Sequence, residues 1–69
     1  MQQTKMKLDS LGRMVIEKRG DTSVRQAAVE AGMSYATLSR IENGKLPDLQ
    51  NFALVCRWLG VTPNDLMGF

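Results

Sequence analysis

The side chains able to do chemistry gather in one short stretch, AGMSYATLSRIENG, residues 31–44. Serine, tyrosine, threonine and arginine crowd it, and only Met33, Leu38 and Ile41 look suited to a core. These polar groups donate and accept hydrogen bonds. Covalent chemistry would need a base beside them. The chain has no histidine, the commonest general base, and a single cysteine, Cys56. No nucleophile–base pair or metal-ligand cluster stands out in the sequence, so neither an enzyme nor a cofactor is expected. The stretch is then either a solvated surface or one that reads a partner.

Five helices must position it. The first runs from about Lys5 to Arg19, with Leu8, Leu11, Met14 and Val15 on its apolar side and Gly20 as its stop. The second covers 23–31. Ser23 is its N-cap, Gln26 stands where a capping box has its third-residue partner, and Val24, Ala27, Ala28 and Ala31 make a small-residue face. The third covers 34–42, capped by Ser34. Leu38 and Ile41 point one way; Tyr35, Ala36, Ser39, Arg40 and Asn43 point the other. NGKLPD is a loop by its Asn-Gly and its proline. The fourth covers 48–59, from Asp48 to the stop at Gly60, with Leu49, Phe52, Ala53, Cys56 and Leu59 on one face. The fifth covers 62–67, with Thr62 as cap, Pro63 in the first position and Asp65 near the positive end of the dipole. Strand signals are poor, so the fold class is all-α.

The spacing between the second and third helices is the strongest signal. Ala28, Gly32, Leu38 and Ile41 stand at i, i+4, i+10 and i+13. Ala28 lets the two helices cross closely. Gly32 makes a tight turn that needs positive φ. Leu38 and Ile41 plug the inner face of the second helix. This is a recipe for a helix-turn-helix, whose second helix is held outward and can enter a major groove.

Residues 20–67 resemble the Cro and lambda-repressor (XRE) type of helix-turn-helix domain. The matching residues are Ser23, Ala28, Gly32, Ser34, Leu38, Ile41, ENG at 42–44, Pro47, Phe52, LGV at 59–61 and Leu66. The resemblance implies a five-helix, lambda-repressor-like domain, residues 1–69, that binds double-stranded DNA through its third helix. Carried over position by position, it places Ser34 on a phosphate at the helix N-terminus. Tyr35 and Ala36 fall on base-reading positions, with Thr37 and Ser39 close to bases or backbone. Arg40 reaches a guanine edge. Asn43 and Lys45 hold phosphate after the helix, and Arg25 does so on the other side.

Three departures from the family pattern are visible. Val24 stands where the family usually has a phosphate-bonding glutamine. The family's helix-one arginine, which pairs with the glutamate of ENG, has no clean counterpart; Ile16 or Glu17 falls at its place, leaving Arg13 or Lys18 as partner for Glu42. The base-reading residues are small, and Tyr35 and Ala36 suit apolar contact with thymine methyl groups rather than bidentate hydrogen bonds.

Leu54 and Trp58 stand at i and i+4, off the expected core face. With Met67 and Phe69 they are the candidate homodimer interface, an exposed apolar patch; the competing reading has Trp58 covering the core. Cys56 is expected as a buried free thiol. One cysteine permits no internal disulfide and fits a reducing cytoplasm. The N-terminus lacks the apolar run of a signal peptide, and no stretch suits a membrane span. Nine Lys and Arg against seven Asp and Glu permit a polyanionic partner without demanding one. The expectation is a bacterial or phage-encoded repressor that binds a palindromic operator as a homodimer, with no small-molecule ligand. The alternative is a protein-interaction module of the same fold, antitoxin-like, with weak or no DNA binding.

Overall fold

The computed structural model describes residues 10–67, without the side chain of Met67. The order is α1 (Leu11–Arg19), α2 (Val24–Ala31), α3 (Tyr35–Glu42), α4 (Leu49–Leu59) and α5 (Pro63–Met67), with no strand among the described residues. The early part of the first expected helix, Leu8 included, lies outside the described residues.

Short polar side chains start the helices by accepting amide protons that have no partner inside the helix. Ser23 accepts from Gln26 N–H at 3.1 Å, Ser34 from Thr37 N–H at 3.1 Å, and Asp48 Oδ1 from Asn51 N–H at 2.9 Å. Before α5 the exchange is reciprocal. Thr62 N–H donates to Asp65 Oδ2 at 3.0 Å, and Asp65 N–H donates to Thr62 Oγ1 at 3.2 Å. The α2–α3 turn is closed by Gly32 at φ 84°. Its N–H donates to Val29 O, and Met33 N–H donates to Ala28 O at 3.0 Å. This pair of bonds is a Schellman cap, which needs a residue tolerant of left-handed backbone.

The core is assembled from Leu11 and Val15 of α1, Ala27 and Ala28 of α2, Leu38 and Ile41 of α3, Val55 and Cys56 of α4, and Leu66 of α5. Leu38, Val15 and Val55 are wholly buried. Each large aliphatic side chain so buried contributes about 1.5–3 kcal/mol. α3 packs on both α1 and α2, and α4 closes the other side of α1 and α2.

The α1–α3 contact runs through backbone. A Cβ on Gly12 would lie 2.7 Å from Ile41 O and 2.9 Å from Glu42 O. Only glycine admits that approach, and nothing in the residues around Gly12 in the sequence signals it.

The buried face of α4 differs from the expected one. Leu49 is 83% exposed and Ala53 is exposed, whereas Val55 is at 0%. Phe52, Cys56 and Leu59 are shared by both faces. LQNFALVCRWL is apolar over most of its circumference, so the partners that dock on it, rather than its own period, choose the buried stripe.

Candidate nucleic-acid interface

Of the expected contact residues, Ser34, Tyr35, Ala36, Thr37, Ser39 and Arg40 lie on or at the start of α3, which shows solvent the side opposite Leu38 and Ile41. Tyr35 is 46% exposed, Ala36 and Arg40 are exposed, and Thr37 and Ser39 are half-buried. Ser34 is spent locally. Its hydroxyl accepts the Thr37 amide and donates to Thr37 Oγ1 at 2.9 Å. That bond fixes the first turn of α3, including the direction in which Tyr35 leaves it.

Asn43 also acts locally. Its Nδ2 donates to Ser39 O at 3.0 Å, so the side chain helps close α3. Lys45 N–H then donates to Arg40 O at 3.0 Å, which folds the loop back under the last turn. Thr37, Arg40 and Lys45 therefore share one groove of about 370 Å³ with Leu46, Pro47, Asp48 and Asn51. Arg25 meets Tyr35 across the turn, its guanidinium carbon 4.6 Å from the ring centroid. The candidate residues thus form two neighbourhoods, Arg25–Tyr35 at the start of α3 and Arg40–Lys45 at its end.

The acidic residue of α3 is withdrawn from this surface. Arg19 Nε donates to Glu42 Oε2 at 2.6 Å, and Nη2 donates to Oε1 at 3.2 Å. Nη1 donates to Thr22 O at 3.0 Å. The two side chains retain 22% and 11% of their exposure. The hydrogen bond to Glu42 raises the Arg19 pKa, with the carboxylate's charge adding to it, so the guanidinium stays charged. A bare carboxylate on this helix would repel phosphate; a neutralised one does not.

This pair corrects the expectation for Glu42, whose partner is Arg19 and neither Arg13 nor Lys18. The docking of α1 on α3 brings the last residue of α1, not an earlier one, against Glu42. Lys18 instead lies over Trp58, its Nζ 6.0 Å from the ring centroid. Val24, at the family's glutamine position, is half-buried and packs on the core. It serves the fold.

One family model, described as helix-turn-helix (HTH_3), matches residues 13–66. The chain belongs to the helix-turn-helix family of the Cro and lambda-repressor type. Its fold is the all-helical one of that family, and its class of activity is DNA binding. No curated protein and no solved structure matches it significantly.

The remaining expected site of this helix-turn-helix domain is the apolar patch. Leu54 and Trp58 are half-buried rather than exposed, and Trp58 packs against the core. The described large apolar residues that do face solvent are elsewhere: Ile16, Val29, Tyr35, Leu46 and Leu49. The side chain of Met67 and all of Phe69 lie outside the described residues. No described helix is long and apolar enough to cross a membrane.

Proposed function

We propose that this helix-turn-helix domain is a sequence-specific transcriptional regulator, a repressor that covers a palindromic operator as a homodimer. α3 enters the major groove. Tyr35 and Ala36 meet base edges, Arg40 meets a guanine, and Thr37 and Ser39 lie beside them. Arg25, Asn43 and Lys45 hold the phosphate backbone, and Ser34 lies against it at the N-terminus of α3, where backbone N–H groups favour an anion. The observation that carries the reading is the make-up of α3. Its outer side is exposed, small and hydrogen-bonding, flanked by Arg25, Arg40 and Lys45, while Glu42 is neutralised from behind by Arg19. Small side chains let a helix sit close to base pairs, and cations at its ends register it on phosphate.

A homodimer suits this reading because one α3 spans only a few base pairs, and two copies about 34 Å apart read both halves of a palindrome. Leu54, Trp58, Met67 and Phe69 are the proposed contact between copies. A bacterial or phage-encoded regulator in a reducing cytoplasm is the setting that goes with it.

The test is selection of bound sequences from random duplexes at low and physiological salt. The expected result is an enriched inverted repeat, with affinity falling steeply as salt rises. The exposed Leu46 and Leu49 favour a second reading, a protein-interaction module. Absence of any enriched sequence, with weak binding that salt abolishes, would turn the assignment to it.

A further inference from the structure

The Arg25–Tyr35 contact joins the first turn of α2 to the first residue of α3. Both side chains are exposed, and among the described residues the ring, not a carboxylate, is the partner of Arg25. An exposed guanidinium is free to project into water. Here it covers one face of the tyrosine instead.

Three consequences follow from this placement. The ring loses freedom, because one face is taken and its first-turn backbone is already fixed by the Ser34–Thr37 bonds. The tyrosine remains 46% exposed, and its hydroxyl has no hydrogen-bond partner among the described residues. The guanidinium lies over the ring with its central carbon 4.6 Å from the centroid, and its N–H donors, which radiate in its own plane and have no acceptor among the described residues, remain able to grip a phosphate oxygen. An arginine held by phosphate therefore also holds the ring.

We propose that Arg25 is a positioning residue for Tyr35, and that the pair acts as one unit reading a base pair that carries a thymine methyl group. This rests on the DNA-reading assignment of α3 and goes beyond it. A simple phosphate anchor has no influence on which base pair is preferred, whereas this arginine does. Lysine is not an equivalent replacement, since its ammonium keeps the charge but has no flat delocalised group to lie over a ring.

The experiment measures affinities of the parent, Arg25→Lys, Tyr35→Ala and the double variant on a panel of duplexes. Every base pair of the selected site is varied singly, at fixed salt. Tyr35→Ala identifies its base pair as the position where preference disappears. Arg25→Lys is expected to reduce preference at that same base pair by about two- to fivefold, at most the worth of an exposed cation–π contact, and to leave preference elsewhere intact. The double variant shows no loss of preference beyond that of Tyr35→Ala. Replacing the thymine with uracil at that position costs the parent roughly fourfold, the worth of one buried methyl group, and costs Tyr35→Ala nothing. Thermal unfolding of Arg25→Lys matches the parent, since both side chains lie outside the core.

The proposal is overturned if Arg25→Lys weakens every duplex by one common factor and leaves preference at the Tyr35 base pair unchanged. It is overturned equally if Tyr35→Ala alters preference nowhere. A parent protein without preference at any base pair would instead bring down the DNA-reading assignment, and the pair's role with it. The parent's own profile tells these failures apart.

Discussion

On its inner side α3 meets protein at every turn. Leu38 and Ile41 are buried in the core where α3 packs on α1 and α2, and the carbonyls of Ile41 and Glu42 press on Gly12 of α1. On its outer side the same eight residues, YATLSRIE, present Tyr35, Ala36 and Arg40 to solvent. The inner side tolerates no change of volume. The outer side carries almost none of the packing, so its residues can be chosen for what they touch outside the molecule. One short helix therefore divides into a half that holds the domain together and a half that is free to recognise.

The largest test of that division is Leu38→Ala. It removes a wholly buried side chain from the centre of a 69-residue chain and is expected to cost about 2–5 kcal/mol in urea unfolding. A domain of this size has little more than that in reserve, so the variant should be largely unfolded at physiological temperature. A loss below about 1 kcal/mol would mean that the inner side is not the structural half.

Gly12→Ala tests the α1–α3 contact without touching α3. The added methyl group meets two carbonyl oxygens at distances no Cβ accepts, so the helices must separate. The expected cost is about 1–3 kcal/mol, even though alanine favours helix more than glycine does. An unchanged or raised melting temperature would show that the approach is looser than described. Separating the helices also disturbs Glu42, and with it the pairing to Arg19.

Arg40→Ala and Lys45→Ala test the other half, and here stability should not move. Arg40→Ala is expected to cost about 1–3 kcal/mol of binding to the selected site and to flatten preference at one base pair. Lys45→Ala should weaken selected and random duplexes alike and reduce the salt dependence by about one phosphate contact. Equal losses on selected and random DNA for Arg40→Ala would move that residue from base reading to phosphate holding.

The two halves were not equally legible in the sequence. The caps at Ser23, Ser34, Asp48 and Thr62 could be read because each bond closes within three residues, so the neighbours on the chain decide it. The turn at Gly32 could be read for the same reason, and the plug of Leu38 and Ile41 because apolar residues at helical spacing after such a turn must face inward; the outward placement of α3 follows from them. What depends on distant segments could not. Arg19 and Glu42 are 23 residues apart, and only the docking of α1 on α3 selects Arg19 over Arg13 or Lys18. Gly12 carries no sequence signal until Ile41 O is known to face it. On α4, eight apolar residues in LQNFALVCRWL offer more than one stripe, and the spacing that favours Leu49 and Ala53 gives way to the one that buries Val55. Arg25 was readable as a surface cation, but the ring beneath it was not, because that contact crosses the turn.

The smallest expected effect concerns the inner half alone. Cys56 is buried in the core at 2% exposure, and its thiol is pushed up from its ordinary value, first by loss of solvation and then by the charge of Asp65. The folded state therefore holds the thiol proton more tightly than the unfolded chain does. Below the unfolded value, about 9.0, the thiol is protonated in both states and stability does not depend on it. As pH rises past that value the unfolded chain ionises first, and the folded state loses ground until its own, higher value is reached. Urea midpoints should accordingly stay level on account of this group up to about pH 8 and then decline. Cys56→Ala should remove that part of the decline while lowering stability at neutral pH through lost packing. Alkylation should follow the same logic, slow in the folded protein and fast once it is unfolded. An alkaline decline identical in parent and Cys56→Ala would assign it to other groups, and rapid alkylation of the folded protein would show that the inner half opens far more readily than its packing implies.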